Sequence, residues 1–145
     1  MTKAVVRVAA GLLVGGDRKV LYAQRMTSVL CGGMWEYPGG KLEDRETSQD
    51  ALRREWREET GQDCVVGALV GTCQIELDDV LAIGLYRVYL QGTLGALLPI
   101  GNLGYRWLSP QEAVRTLHLV PSCYLLYTAV REHLRRHKPG IFPRP

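Results

Sequence analysis

One short segment in the first half of the chain constrains the fold more than any other, because its sequence marks both where a helix begins and where it ends. Thr47 or Ser48 supplies a side chain that can cap a helix start. Gly61 suits the position just after a last helical turn, where the backbone turns left-handed. The pattern predicts a helix over residues 48–60.

Two kinds of side chain lie on adjoining faces of this helix. Leu52 and Trp56 form an apolar stripe that would pack on a sheet. Glu55, Glu58 and Glu59 share the neighbouring face, since they are three and four residues apart. Their mutual repulsion is best relieved by a divalent cation, and oxygen ligands suit Mg²⁺ or Mn²⁺. A solvated acidic helix face has the same pattern, so the helix alone leaves both interpretations open.

Charge is unevenly placed along the chain. The net charge is only +3, yet seven of the 15 acids lie between residues 43 and 59, and the last fifteen residues are basic. Acids beside arginines are what a site for a metal-bound polyphosphate requires. The basic end favours a solvated helix terminus over a nucleic-acid-binding patch, because cations near a helix C-terminus are stabilising.

The remaining chain alternates strand-like and helical segments. Turn residues separate the β-rich runs, and Ser109-Pro110-Gln111-Glu112 has the form of a capping box. We expect an α+β or αβα sandwich around a mixed sheet. In the first part of the chain, a strand over 4–14 pairs in a hairpin with 19–25, and a loop follows over 26–40. A second hairpin consists of 64–76 and 80–91 and turns at Asp78-Asp79. The remaining segments are a flexible loop over 92–104, a strand over 105–108, and helices from 110 and over 121–137.

Several protein classes are excluded by the sequence. A chain of 145 residues supports one domain with a single core. No apolar run approaches the ~18 residues of a membrane span, and no signal-peptide core follows the first residues, so we expect a soluble cytoplasmic protein. The four cysteines are widely spaced, which argues against zinc and thioredoxin-like chemistry and favours reduced thiols.

The acidic helix is part of a longer motif. From Gly40 to Gly61 the sequence resembles the Nudix box, G-x5-E-x7-R-E-U-x-E-E-x-G-U, in which U is a bulky apolar residue. The residues in register are Gly40, Glu46, Arg54, Glu55, Trp56, Glu58, Glu59 and Gly61. Gln62 departs from the final apolar position. The segments 34–43 and 105–109 resemble MutT-type members, so the likeness covers most of residues 4–130.

The resemblance implies a fold and a set of site residues. Nudix proteins form an αβα sandwich around a mixed β-sheet, with the box as loop–helix–loop. We therefore expect one Nudix domain over residues 1–138 and a C-terminal tail over 139–145. Carried over by position, the metal ligands for Mg²⁺, or Mn²⁺ in its place, are Glu55, Glu58, Glu59 and the backbone carbonyl of Gly39. Glu55 would also orient or deprotonate the attacking water, with Arg54 holding a glutamate in place and Glu46 and Gly40 supporting the ligands.

Substrate contacts are predicted outside the box. Arg25 occupies the place of a nucleotide-contacting arginine in MutT-type proteins, and Trp35 and Tyr37 could flank a base, with one of them equally suited to the core. Ser122 follows Pro121, where the branch often has Asn or Asp reading a purine edge. A single hydroxyl makes fewer hydrogen bonds than an amide, which weakens the expectation of 8-oxo-guanine specificity.

A second departure concerns an acid. MutT-type members usually carry a glutamate before the late Trp-containing strand, and residues 100–104 contain none. Asp78, Asp79 and Glu76 are the substitutes that the sequence offers.

The resemblance implies Mg²⁺-dependent hydrolysis of a nucleoside triphosphate to a nucleoside monophosphate and pyrophosphate. One alternative is another nucleoside diphosphate-linked substrate, such as a nucleotide sugar or a dinucleotide. The other is a non-catalytic, nucleotide-binding regulatory module, although such a module has no need of three metal-binding carboxylates. The expected partner is a small nucleoside polyphosphate rather than a membrane or nucleic acid. The resemblance also allows a homodimer, because many relatives dimerise.

Overall fold

The computed structural model describes residues 2–92 and 97–144. The elements, in chain order, are β1 (Val5–Leu13), β2 (Val20–Gln24), β3 (Trp35–Glu36), β4 (Gly39–Lys41), α1 (Ser48–Thr60), β5 (Cys64–Glu76), β6 (Val80–Leu90), β7 (Tyr105–Leu108), α2 (Pro110–Thr116), α3 (Pro121–Leu125) and α4 (Tyr127–Arg136). The predicted α+β class is confirmed.

Four strands form a mixed sheet in the order β4-β1-β6-β5. The two central strands, β1 and β6, run parallel, while β4 and β5 pair antiparallel at the edges. A second, antiparallel sheet has the order β3-β2-β7. No pattern in the sequence predicts this second sheet.

The core lies on both faces of the central sheet. Alternate residues of β1 point to opposite sides, so Leu12 joins one apolar cluster and Leu13 the other, and both are fully buried. Leu12 packs with residues of α3 and α4, whereas Leu13 packs with Leu52 and Trp56 of α1. Helices therefore cover the two faces, as the sandwich prediction requires.

The local helix signals are confirmed. The Thr47 hydroxyl accepts a hydrogen bond from the amide of Asp50 at 3.1 Å, and Gly61 ends α1 with a φ of 73°. Ser109 and Glu112 form the reciprocal capping box that begins α2. The hairpin of β5 and β6, turning at Asp78-Asp79, is also confirmed.

Two predictions of local structure are wrong. The first is the hairpin of 4–14 with 19–25, since β1 and β2 belong to different sheets. Next to the turn, Val14 and Val20 form an isolated bridge, and the amide of Gly15 donates to the carbonyl of Lys19 at 2.8 Å. The second is the continuous helix over 121–137, which is divided at Leu126 into α3 and α4. The loop predicted over 26–40 includes the short strands β3 and β4.

The last segments of the chain make specific contacts. In the predicted flexible loop 92–104, residues 93–96 lie outside the described residues. The amides of Leu98, Ile100 and Gly101 donate hydrogen bonds to carbonyls at the end of α1. In the tail, the carbonyl of Ile141 accepts from the amide of Leu90 at 2.7 Å. All four cysteines are free thiols. Within the described chain, no helix is long and apolar enough to cross a membrane.

Candidate active site

Helix α1 is held in a fixed orientation by Trp56. This side chain is fully buried, and its indole N–H donates to the carbonyl of Pro38 at 3.1 Å. Gly11 of β1 lies directly beneath it, since a Cβ there would fall 2.6 Å from the indole nitrogen. The missing side chain lets the helix approach the sheet closely. Consequently, the glutamate face of α1 is positioned next to the loop that carries Pro38.

Arg54 joins the predicted acids into one network. Its guanidinium donates from Nε and Nη2 to the carboxylate of Glu46 at 2.8 and 2.9 Å. Nη1 donates to Glu55 at 2.8 Å and lies 3.4 Å from Glu58. A further bond runs to the carbonyl of Lys41 at 3.0 Å. These contacts lower the pKa of Glu46 to about 2, because Arg54 and the backbone N–H of Glu43 stabilise its charged form.

The two glycines between Pro38 and Lys41 lie against the carboxylates of α1. The amide of Gly39 donates to Oε2 of Glu59 at 3.0 Å. A Cβ on Gly40 would fall 2.6 Å from both carboxylate oxygens of Glu55. The glycine backbone therefore leaves the space that the two carboxylates occupy.

The electrostatic environment of Glu55 and Glu59 disfavours negative charge. Burial, followed by the nearby charges of Glu36 and Glu55, raises the pKa of Glu59 to about 8. Burial also raises the pKa of Glu55, against the opposing effect of Arg54. Crowded carboxylates of this kind are stabilised in their charged form by a cation.

The carboxylates of the predicted metal ligands do not all point to one place. Glu58 is 60% exposed and turned towards Arg54, apart from Glu59, whose carboxylate is bound to β4. In residues 2–92 and 97–144, no three acidic, histidine or cysteine side chains are placed to hold an ion as they stand. The donor chemistry nevertheless fits a hard divalent cation, because the face offers carboxylate oxygens crowded by like charge. The ligand assignments stay predictions.

A cleft of about 700 Å³ is lined by Gly39 and Gly40, whose backbones lie against the carboxylates of Glu59 and Glu55. Aliphatic side chains of β1 and β6 form much of its wall, and polar groups lie among them. The polar and charged lining residues are Arg25, Glu36, Lys41, Asp78, Asp79 and Ser122. A cleft with an apolar wall and a few charged groups suits a base and a phosphate chain.

Of the predicted substrate-contacting residues, some line the cleft and others belong to the core. Arg25 and Ser122 line the cleft, and Arg25 donates to Glu36 at 2.8 Å. Tyr37 reaches the cleft but is only 5% exposed and belongs to the core, where its hydroxyl lies 3.5 Å from that of Tyr22. Trp35 packs on the same core cluster and does not line the cleft.

The structure also locates the candidate substitutes for the missing acid. Asp78 and Asp79 line the cleft from the β5–β6 turn. Glu76 does not, and it pairs instead with Lys3 at 3.5 Å. A further acid near the helix glutamates is Glu36, whose charge acts on Glu59 and which no motif in the sequence singles out. Its side chain is 18% exposed and paired with Arg25, although burial still raises its pKa.

Glu36 had one usable signal in the sequence. It follows Trp35 directly, so an extended backbone sends the two side chains to opposite sides. The segment is only two residues long, too short for alternation to be recognised.

Comparisons with known proteins identify the family. The model of the NUDIX domain matches residues 5–124. An 8-oxo-dGTP diphosphatase of Proteus vulgaris is 42% identical over 79 residues, which is 54% of this chain and 70% of the relative. A CTP pyrophosphohydrolase of Escherichia coli (strain K12) is 35% identical over 113 residues, covering 78% of this chain and 82% of the relative.

Solved structures give the same fold. The solution structure of the E. coli ORF135 protein matches with a TM-score of 0.75 and 30% identity, over 90% of this chain and 91% of that one. The crystal structure of a MutT protein from Methanosarcina mazei matches with a TM-score of 0.80 and 20% identity, over 94% and 99%. The family model spans more than half of the chain and includes the whole carboxylate face of α1. The chain therefore belongs to the Nudix family, as a MutT-like hydrolase that acts on phosphoric anhydride bonds.

Proposed function

We propose that the protein hydrolyses a nucleoside triphosphate within its phosphate chain and releases a nucleoside monophosphate and pyrophosphate. The observation that carries this proposal is the placement of Glu55 and Glu59 next to a cleft that also contains Arg25 and Lys41. The carboxylates suit a cation, and the two basic side chains suit phosphate oxygens. The relatives named diphosphatase and pyrophosphohydrolase support the same reaction class.

The proposed cofactor is Mg²⁺, with Mn²⁺ as a substitute. Glu55, Glu58 and Glu59 would hold it, together with the carbonyl of Gly39. When bound, such a cation supplies charge neutralisation on the phosphate and a water molecule of lowered pKa.

The protein's own residues supply the rest of the reaction. Water attacks one phosphorus atom, the bridging P–O bond breaks, and Glu55 accepts the proton that the water loses. Arg54 donates to Glu55 at 2.8 Å and fixes the direction of its carboxylate. Glu46 holds Arg54 through two hydrogen bonds, so the orientation of Glu55 depends on both residues. The aliphatic wall of the cleft would hold the base away from water.

The identity of the base is a separate proposal, in which we favour a cytosine nucleotide over 8-oxo-guanine. Ser122 lines the cleft and offers one hydroxyl, which makes fewer bonds to a purine edge than an amide does. The CTP pyrophosphohydrolase of E. coli also aligns over 78% of this chain, against 54% for the 8-oxo-dGTP diphosphatase of Proteus vulgaris.

The experiment compares the wild-type protein with Glu55→Gln and with Glu132→Gln, which changes a partly exposed acid of α4 that pairs with Arg135. Each protein is incubated with Mg²⁺ and CTP, dCTP, 8-oxo-dGTP, a nucleotide sugar or a dinucleotide, and the products are separated by ion-exchange chromatography. We expect monophosphate and pyrophosphate, fastest from a cytosine nucleotide. Glu55→Gln should lower kcat by about 10²- to 10⁴-fold, and the control should not.

Three outcomes would contradict the proposal. Release of orthophosphate would show a different bond being cleaved. Turnover of only the sugar or dinucleotide substrate would identify that alternative. Nucleotide binding without turnover of any substrate would favour the regulatory module.

A further inference from the structure

The segment 98–102 closes over the last turn of α1. The amide of Leu98 donates to the carbonyl of Thr60 at 2.9 Å, and the amides of Ile100 and Gly101 both approach the carbonyl of Glu59 at 3.2 Å. Gly101 lies so near that a Cβ there would fall 3.1 Å from Cγ of Glu59. Carbonyl groups at the end of a helix lack partners within the helix. Here the following loop supplies those partners.

Asn102 is the side chain at the centre of this contact. It is the only asparagine of the chain and is 4% exposed. Its amide nitrogen donates to the carbonyl of Glu59 at 3.2 Å and to the hydroxyl of Tyr105 at 2.9 Å, while its oxygen accepts from the amide of Gly104 at 3.0 Å. Because oxygen and nitrogen both have fixed partners, the side chain has one favoured orientation.

Glu59 is consequently held at two points. Its carboxylate accepts from the amide of Gly39 on β4, and its carbonyl accepts from Asn102. The hydroxyl of Tyr105 supports the second point, since it also bonds to the carbonyl of Leu98 at 2.8 Å. Without the Asn102 amide, the loop that carries Ile100 and Gly101 loses its links to Gly104 and Tyr105, so the last turn of α1 opens more readily. Fraying at Glu59 would move its carboxylate away from Glu55 and the cleft.

We propose that Asn102 is a positioning residue that keeps Glu59 in the geometry required to bind the divalent cation. This inference rests on the proposed function, because it assigns a role to the proposed cation ligand. Residues 100–104 contain no acid of their own. This chain instead uses an amide in that segment to fix an acid contributed by α1.

The test is calorimetric titration of the full chain with Mn²⁺ in the absence of nucleotide. We compare the wild type with Asn102→Ala, Asn102→Asp and Ser109→Ala. The Asn102→Asp variant keeps the shape and the acceptor for Gly104 but loses the donor to Glu59. Ser109→Ala removes the cap of α2, a purely structural change that does not touch Glu59.

We expect both Asn102 variants to bind Mn²⁺ about 10-fold more weakly, as happens when residues that orient a metal ligand are removed. Their kcat should fall, while KM for the nucleotide stays within about 3-fold of the wild type. Ser109→Ala should lower Tm and leave Mn²⁺ affinity unchanged.

Several results would overturn the inference. Mn²⁺ binding by Asn102→Asp at or above the wild-type affinity would mean that the amide donor to Glu59 does not position its carboxylate. Wild-type affinity in both variants, or no Mn²⁺ binding by the unaltered chain, would also refute it. Because binding is measured without turnover, a protein that binds Mn²⁺ but hydrolyses no nucleotide would refute the proposed function and still decide the role of Asn102.

Discussion

Replacing Gly40 by alanine should impair catalysis while leaving the fold intact. Gly40 lies in β4 opposite Ala9, and its φ is not in the left-handed region, so the backbone accepts alanine. The added Cβ would fall 2.6 Å from both carboxylate oxygens of Glu55, closer than the 3.0 Å that real Cβ atoms respect. The carboxylate is the end of a flexible side chain and is therefore the group that moves.

The size of the effect follows from the displacement. To reach a contact between 3.0 and 3.4 Å, the oxygens of Glu55 must retreat by about 0.4 to 0.8 Å. A misplacement of ~1 Å in a catalytic group costs about 100-fold in rate, so we expect kcat/KM to fall by about 10- to 100-fold. The free energy of unfolding should change by less than about 1 kcal/mol. Alanine lowers the conformational entropy of the unfolded chain, and this gain offsets the cost of moving the carboxylate.

Gly39→Ala is the matched comparison. A Cβ on Gly39 would fall 2.6 Å from Cα of Ala10 and would also meet the carbonyl oxygen of Ala9, and neither backbone group can turn aside. We expect this variant to lower Tm substantially, whereas Gly40→Ala should melt like the wild type. The assay is pyrophosphate release with Mg²⁺ beside thermal unfolding by circular dichroism. Wild-type turnover by Gly40→Ala, or a loss of Tm equal to that of Gly39→Ala, would refute the reasoning.

Two further predictions concern stability. Trp56→Phe should reduce the free energy of unfolding by about 1–2 kcal/mol in urea, because a fully buried side chain becomes smaller and its bond to Pro38 is lost; an unchanged midpoint would contradict the packing described. Burial, with His137 and Arg87 nearby, lowers the pKa of His133 to about 4, so below pH 6.5 the unfolded chain binds a proton that the folded chain does not. The free energy of unfolding should therefore fall as pH falls. Between pH 7 and pH 5, the wild type should lose about 2 kcal/mol more than His133→Gln. Parallel pH profiles of the two proteins would show that the pKa of His133 is not lowered by folding.

Elements with local signals could be predicted from the sequence. The bounds of α1 follow from a capping threonine and a terminal glycine, each of which acts within one helical turn. The β5–β6 hairpin follows from two β-rich runs joined at a two-aspartate turn. The box residues were recognisable because their spacing reflects one helix and the loop before it.

The partner of β2 could not be predicted in this way. The turn after β1 forms locally, with the amide of Arg18 donating to the carbonyl of Gly15 at 2.9 Å, and this is the signal of a hairpin. Tertiary packing then directs β2 into the other sheet, where Leu21 faces the α1 cluster and Tyr22 faces the opposite one. Strand pairing beyond the turn depends on which faces are buried, and adjacent segments carry no information about that.

The chemistry of the site likewise depends on residues outside the motif. Glu36 comes from a two-residue strand and still contributes to raising the pKa of Glu59, which lies 23 positions later in the chain. Five carboxylates and two guanidinium groups lie close together around α1. When all the acids are ionised, the group carries three net negative charges. The acids are Glu36, Glu46, Glu55, Glu58 and Glu59, and the guanidinium groups belong to Arg25 and Arg54. A chain with a net charge of +3 therefore has a strongly negative region at the site that we propose for the phosphate chain. Since like charges repel, a cation held by these acids would lower the repulsion that a phosphate chain meets there, which is the physical reason to expect turnover to require a divalent metal.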